Sequence, residues 1–130
     1  MLHADGKTLV VTGSDDMALT NALKQAGAEV ARISSPQKTI DLKELFRHLV
    51  WLEVNEVLVE AGATWCGALL QQGLVDELIL YYAPHILGSH ERGMFTLPPL
   101  TRMADRVNVE ISDVRALGKD WRVIASVSEK

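Results

Sequence analysis

Short apolar runs alternate with helix-like segments along most of this chain, and no other feature of the sequence constrains the fold as much. Residues 8–12, 28–33, 57–59 and 78–83 are each typical of a strand, and segments with helical spacing separate them. Strands that alternate with helices favour parallel neighbours, so the pattern predicts an α/β fold with a mostly parallel, mixed sheet flanked by helices. The run Val57-Leu58-Val59 is apolar throughout, as expected of a central strand covered on both faces.

Polar caps and glycines mark the ends of the predicted helices. Residues 14–16 (Ser-Asp-Asp) offer a cap to the first helix, and Asp41 offers one to the second. Gly27 follows the first helix, and Gly73 follows the third at residues 64–72, where a left-handed residue commonly ends a helix. The second helix presents one apolar face, formed by Leu42, Leu45, Phe46, Leu49 and Leu52.

The last third of the chain has a different character. Residues 85–100 are rich in Gly, Pro and Ser, which is typical of a long irregular loop. Residues 107–117 and 121–128 alternate between apolar and polar, and Gly118-Lys119-Asp120 between them is typical of a tight turn. These segments predict a C-terminal antiparallel hairpin.

Length, charge and cysteine usage narrow the class of protein. The 130 residues suit a single domain over 1–130, and the net charge of −4 without a basic stripe argues against a nucleic-acid partner. No apolar run is long enough for a bilayer, which argues against a membrane partner. The only cysteine, Cys66, cannot form an internal disulfide, so a cytoplasmic location is expected. The four histidines show no metal-ligand spacing, so no metal is expected.

The junction Gly62-Ala63-Thr64 is the strongest candidate site. The first turn of a helix offers unpaired N–H groups and partial positive charge, and small residues let a phosphate approach the backbone. The alternative is an ordinary strand-to-helix turn whose small residues serve packing. Glu60 lies at the predicted strand end, where ligands of open α/β sheets bind. It could accept hydrogen bonds from sugar hydroxyls, or it could be a surface acid or a helix cap.

One further position is a weaker candidate. Thr12-Gly13-Ser14 could face a ribose or an adenine, although a plain helix cap explains it as well. Neither the GxGxxG dinucleotide fingerprint nor the GxxxxGK[ST] phosphate loop is present, so any nucleotide site must be built differently.

Residues 56–98 closely resemble a known family, the reductase domain of the bifunctional riboflavin biosynthesis deaminase/reductase RibD. The resemblance is carried by Val59-Glu60-Ala61-Gly62-x-Thr64, by the segment GALLQQGLVDEL at residues 67–78 and by Tyr81-x-Ala83-Pro84, and it extends to the Leu-Gly and Leu-Pro pairs that follow. It covers more than forty contiguous residues, whereas residues 1–55 and 99–130 agree in element order with weaker signatures.

The resemblance implies a dihydrofolate-reductase-like fold and an NADPH-dependent reductase. It implies reduction of the ribosyl group of 5-amino-6-(5-phosphoribosylamino)uracil, a pyrimidine ribosyl phosphate, to ribityl, and association as a homodimer. By position, Glu60 is expected to contact substrate, and no catalytic acid is assigned. The segment expected to wrap the NADPH phosphates consists of Gly62, Ala63, Thr64, Trp65, Cys66, Gly67 and Ala68. Ala63 and Trp65 replace the proline and leucine that are common in the family.

The resemblance also implies that this chain is a partial reductase domain. Full-length members carry a deaminase domain and further reductase residues before the segment that corresponds to Met1. Two functions therefore stay open: a reductase in the parent protein, with this fragment itself expected to be weak or inactive, and a non-catalytic NADP-binding or dimerisation fragment. Arg32, with Lys38 as the weaker choice, is a conceivable contact for the 2′-phosphate that distinguishes NADPH from NADH.

Overall fold

The structure is a computed structural model that describes residues 6–33, 39–88 and 93–128. Its internal contacts divide the chain into two units, Met1–Leu58 and Val59–Lys130. The predicted single domain over 1–130 stays a prediction.

The first unit contains a parallel βαβ arrangement followed by a helix. Strand β1 (Leu9–Thr12) leads to helix α1 (Met17–Gln25), which leads to strand β2 (Glu29–Arg32). The two strands pair in parallel, with Val10 opposite Val30. Helix α2 (Leu42–Trp51) follows. The strand and helix predictions for this part of the sequence are confirmed.

Side-chain caps begin both helices of the first unit, as predicted. The Asp16 carboxylate accepts a hydrogen bond from the Leu19 N–H at 3.0 Å, and the Asp41 carboxylate accepts one from the Glu44 N–H at 3.0 Å. Each carboxylate satisfies a donor that the helix itself leaves unpaired and lies near the positive end of the helix dipole. These acids therefore stabilise helix ends.

The strand predicted at Val57-Leu58-Val59 is wrong. These residues form no strand, and Leu58 is 75% exposed. Within the described part of the chain, residues 55–60 make no backbone hydrogen bond to another segment. A continuous apolar run forms a central strand only when neighbouring strands pair with both of its edges and helices cover its faces. Residues 57–59 have the apolar composition of such a strand, but they have no hydrogen-bonded neighbouring strand among the described residues.

The second unit consists of a helix and an antiparallel sheet. Helix α3 (Ala63–Gln71) precedes strand β3 (Glu77–Tyr82), and a 3₁₀ turn (Met103–Asp105) precedes strands β4 (Val109–Leu117) and β5 (Asp120–Val127). The strand order is β3-β5-β4, and both pairings are antiparallel. The α/β class and the C-terminal hairpin are confirmed, and the parallel part of the described structure is the β1–β2 pair.

The most buried side chains of the second unit lie on the central strand and on α3. Ala125 of β5 is 1% exposed and stands in register between Leu78 of β3 and Ile111 of β4. Leu69 and Leu70 of α3 are also buried. Gly73 ends α3 in the left-handed conformation, at a φ of 65°, as predicted. The turn after α3 then leads directly into β3.

An ion pair joins the two strands of the hairpin. The Arg122 Nη2 donates a hydrogen bond to the Asp113 Oδ2 at 2.8 Å. This bond, helped by the nearby charges of Arg115 and Arg122 itself, lowers the pKa of Asp113 below its ordinary 3.8, against a smaller opposing effect of desolvation. A carboxylate whose pKa is lowered by folding stabilises the fold above its unfolded pKa, and that contribution is lost as the pH falls through the folded pKa.

Asp113→Asn should therefore lower the free energy of unfolding at neutral pH, and its difference from wild type should shrink as the pH falls below 3.8. Urea titrations at neutral and acid pH would measure this. Glu110→Gln is the matched control, because it removes a carboxylate of the same strand that has no ion pair among the described residues. A difference between Asp113→Asn and wild type that stays constant across the pH range would contradict the assigned cause.

Candidate functional site: the N-terminal end of helix α3

Helix α3 begins without a side-chain cap. Its N-cap residue is Gly62, in an extended conformation, and the first helical hydrogen bond runs from the Cys66 N–H to the Gly62 carbonyl at 3.1 Å. The N–H groups of Ala63, Thr64 and Trp65 make no hydrogen bond to any described residue. This end of the helix therefore offers free donors together with the partial positive charge of the helix dipole.

A loop segment forms the opposite wall of a cleft at this helix end. The Thr96 N–H donates a hydrogen bond to the Ala63 carbonyl at 2.9 Å, which fixes the segment against the first turn of α3. The cleft has a volume of about 320 Å³ and is lined by Gly62, Ala63, Thr64, Trp65, Gly93 and Thr96. A concave site with free N–H donors on one wall can hold an anionic group such as a phosphate.

Sequence reasoning found one wall of this cleft and missed the other. Gly93 and Thr96 lie in the segment predicted only as an irregular loop, some thirty residues after α3 begins. The resemblance extends across this segment, but none of its motifs points to these two residues. Only the fold brings them to the helix end, through the hydrogen bond from Thr96 to Ala63.

The residues predicted to wrap a cofactor separate into two groups. Gly62, Ala63, Thr64 and Trp65 line the cleft. The remaining residues do not line it: the Cys66 thiol donates a hydrogen bond to the Ala61 carbonyl at 3.4 Å, Gly67 is buried against Thr96, and Ala68 is half-buried. Contact of any of these residues with a cofactor stays a prediction, and the cleft supports it best for the first group.

Glu60 lies beside the cleft in sequence but is not among its lining residues. It is exposed, and it forms no ion pair with a described residue. It precedes the N-cap Gly62 by two residues and follows residues 57–59, which form no strand. Its carboxylate is therefore free to meet a polar partner. The predicted contact with substrate stays a prediction.

The weaker candidate at Thr12-Gly13-Ser14 is part of the start of α1. The Thr12 Oγ1 accepts a hydrogen bond from the Ser14 N–H at 3.0 Å, and the Ser14 Oγ accepts one from the Asp16 N–H at 3.2 Å. Arg32 forms an ion pair with Asp15. The two hydrogen bonds satisfy backbone N–H groups at the start of α1. The ion pair with Asp15 partly neutralises the Arg32 guanidinium.

The remaining candidates give no further site among the described residues. The His48 ring stacks on Trp51, with 5.8 Å between the ring centroids. Within residues 6–33, 39–88 and 93–128, no cluster of His, Cys, Asp and Glu could hold a metal ion. In the same ranges, no helix combines the length and the apolar character needed to cross a bilayer. Lys38, His3 and His90 lie outside the described residues.

The chain matches known proteins of a defined family. The RibD C-terminal domain family matches residues 2–123. The riboflavin biosynthesis protein RibD of Escherichia coli is 48% identical over 81 residues, which are 62% of this chain. A 5-amino-6-(5-phosphoribosylamino)uracil reductase of Buchnera aphidicola from Acyrthosiphon pisum is 34% identical over 89 residues, which are 68% of this chain.

A solved structure agrees with the fold. RibD of Acinetobacter baumannii superposes with a TM-score of 0.78 at 31% identity and covers 92% of this chain. The chain spans only part of each relative: 22% of the E. coli protein, 43% of the Buchnera reductase and 31% of the A. baumannii chain. The match across residues 2–123 nevertheless covers nearly all of the present sequence, and the chain belongs to the RibD C-terminal domain family.

Proposed function

We propose that this chain is part of an NADPH-dependent reductase that converts 5-amino-6-(5-phosphoribosylamino)uracil to its ribitylamino form in riboflavin biosynthesis. The observation that carries the proposal is the cleft at the uncapped end of α3, in a chain of the RibD C-terminal domain family. The name of the Buchnera relative supports the choice of substrate. A reductase of this kind requires a nicotinamide cofactor to supply the hydride.

The residues of the cleft fit the diphosphate of such a cofactor. The free N–H groups of Ala63, Thr64 and Trp65 can donate hydrogen bonds to phosphate oxygens, and the helix dipole favours their negative charge. Gly62 has no side chain to block the approach, since a β-carbon there would meet no atom within 4 Å. The Thr64 hydroxyl has no hydrogen-bond partner among the described residues and can add a further donor.

The substrate role is assigned to Glu60. A carboxylate accepts hydrogen bonds from hydroxyl groups. The Glu60 side chain is exposed two residues before the cleft begins, and no described residue forms an ion pair with it. It can therefore orient the hydroxyl groups of the ribosyl chain relative to a cofactor held by α3. Correct orientation of the two reactants is a large part of what a hydride-transfer enzyme must provide.

An NADPH titration of the chain tests the cofactor assignment. We expect a saturable change in NADPH fluorescence together with an increase in the melting temperature, because binding to the folded state stabilises it. The same titration with NADH compares the two coenzymes. The absence of a saturable response up to millimolar NADPH would refute the proposed function. The cleft would then be a packing feature of the α3 turn.

Addition of the pyrimidine substrate to the NADPH-bound protein distinguishes a reductase from a module that only binds the cofactor. Oxidation of bound NADPH on addition of 5-amino-6-(5-phosphoribosylamino)uracil would support the reductase. Binding of NADPH without oxidation would favour the alternative, a non-catalytic NADP-binding fragment. The predicted homodimer, the cytoplasmic location and the absence of nucleic-acid and membrane partners stay predictions.

Glu60→Gln should weaken substrate binding more than NADPH binding. The change keeps the size of the side chain and removes its charge, so hydrogen bonds from substrate hydroxyl groups become weaker. The substrate affinity should fall by about a factor of ten. Calorimetric titration with the substrate and fluorescence titration with NADPH would measure the two affinities. Glu56→Gln, which changes an exposed acid four residues earlier in the chain, is the matched control. Equal loss of both affinities would count against the assigned role.

A further inference from the structure

Helix α3 and the loop segment that carries Thr96 touch at a position where only glycine fits. A β-carbon on Gly67 would lie 2.8 Å from the Thr96 carbonyl carbon and 3.0 Å from its nitrogen, and it would overlap the carbonyl oxygen. Gly67 lies within α3 and has no left-handed backbone that would require glycine. Glycine is unfavourable inside a helix, so the close approach of the Thr96 main chain is the physical reason for it here.

The same contact holds the two walls of the cleft together. Gly67 lies one turn after Ala63, on the same side of the helix. Thr96 packs over Gly67 and donates its N–H to the Ala63 carbonyl at 2.9 Å. Ala63 lines the cleft on the helix side, and Thr96 lines it on the loop side. Any movement of Thr96 away from α3 therefore widens the cleft.

We propose that Gly67 is a positioning residue that sets the width of this cleft by admitting the Thr96 main chain, so that one bound diphosphate group meets both walls. This inference rests on the proposed function, because it takes the diphosphate to be that of the nicotinamide cofactor. It gives Gly67 a role that differs from the direct cofactor contact implied by family resemblance. A methyl group at residue 67 would act on the cofactor through Thr96.

The experiment compares Gly67→Ala with wild type by amide hydrogen exchange and NADPH titration. The Thr96 amide should exchange at least about tenfold faster in the variant, because its bond to Ala63 is strained or lost, while β5 amides keep their protection. The NADPH dissociation constant should rise about tenfold or more, because a displaced wall no longer meets the ligand. Gly6→Ala is the matched control: a β-carbon at Gly6 meets no atom within 4 Å, and its φ is not positive.

A second variant covers the case in which Gly67→Ala does not fold. Thr96→Pro removes the N–H that bonds to Ala63 and leaves the sequence of α3 unchanged, and loops tolerate substitution better than helices do. It should weaken NADPH binding to a similar degree.

The outcomes separate the two claims. Wild-type protein that does not bind NADPH would refute the proposed function and, with it, the cofactor role of the contact. Wild-type protein that binds NADPH, with unchanged binding by a folded Gly67→Ala or Thr96→Pro variant, would refute the positioning role alone. Faster Thr96 exchange accompanied by weaker NADPH binding, with neither change in Gly6→Ala, would support it.

Discussion

Gly62→Asp should lower NADPH affinity by about 100-fold or more while making the protein more stable. The new carboxylate would occupy the N-cap of α3, directly at the cleft, and two negative charges about 4 Å apart repel one another by a few kcal/mol near a protein surface. Space and backbone conformation both permit the side chain, because a β-carbon would meet no atom within 4 Å and the φ of −75° suits any residue. The loss of affinity would be electrostatic in origin.

The stability of the same variant should change in the opposite direction. Gly62 makes no side-chain cap, and aspartate at an N-cap accepts hydrogen bonds from the first helical N–H groups and interacts favourably with the helix dipole. We expect the free energy of unfolding to rise by about 0.3–1 kcal/mol. NADPH fluorescence titration and urea denaturation of one preparation measure both quantities.

Gly62→Asn is the matched control for this pair of measurements. Asparagine caps a helix about as well as aspartate and has nearly the same shape, but it carries no charge. It should retain most of the NADPH affinity that Gly62→Asp loses. Equal affinity losses in the two variants would mean that bulk at residue 62 matters and that charge does not. Unchanged affinity in Gly62→Asp would show that no phosphate binds at this helix end.

Ala125→Lys should destabilise the second unit by about 3 kcal/mol or more, since it places an unpaired charge in an almost fully buried position. Ala125 is 1% exposed, and its neighbours in register, Leu78 and Ile111, offer no partner to an ammonium group. Urea denaturation followed by far-ultraviolet circular dichroism would measure the loss.

Ser126→Lys provides the matched control one residue along the same strand. Ser126 is exposed and lies in register between Glu77 and Glu110, so a lysine there gains favourable cross-strand partners. Its free energy of unfolding should stay within about 0.5 kcal/mol of wild type. Similar losses from both lysines would contradict the register that pairs Ala125 with Leu78 and Ile111.

Local sequence signals predicted the elements whose formation depends on nearby residues. The acids Asp16 and Asp41 begin helices because each carboxylate reaches a donor three residues ahead, which is a contact that the sequence alone defines. The hairpin of β4 and β5 follows from alternation and from a tight turn at Gly118, whose φ is 64°. Both kinds of prediction use interactions within a few residues.

Predictions that depended on distant partners were less successful. The apolar run at 57–59 has the composition of a buried strand, but a strand also needs paired neighbours, and the run itself says nothing about them. The strand predicted at residues 78–83 forms β3 (Glu77–Tyr82). Composition did not reveal that its partner is β5, which lies about forty residues later in the chain and runs antiparallel. Partner choice is a property of the whole sheet.

The two walls of the candidate site differ in the same way: one was predictable from local sequence and the other was not. The sequence by itself determined the helix wall, because a glycine N-cap, small residues and free N–H groups are consecutive in the chain at residues 62–65. Only the tertiary structure decided that the Thr96 main chain lies across Gly67 and closes the cleft. The physical reason is that backbone donors and caps are set by residues a few positions apart. A wall contributed by a distant loop, in contrast, depends on which segments pack together.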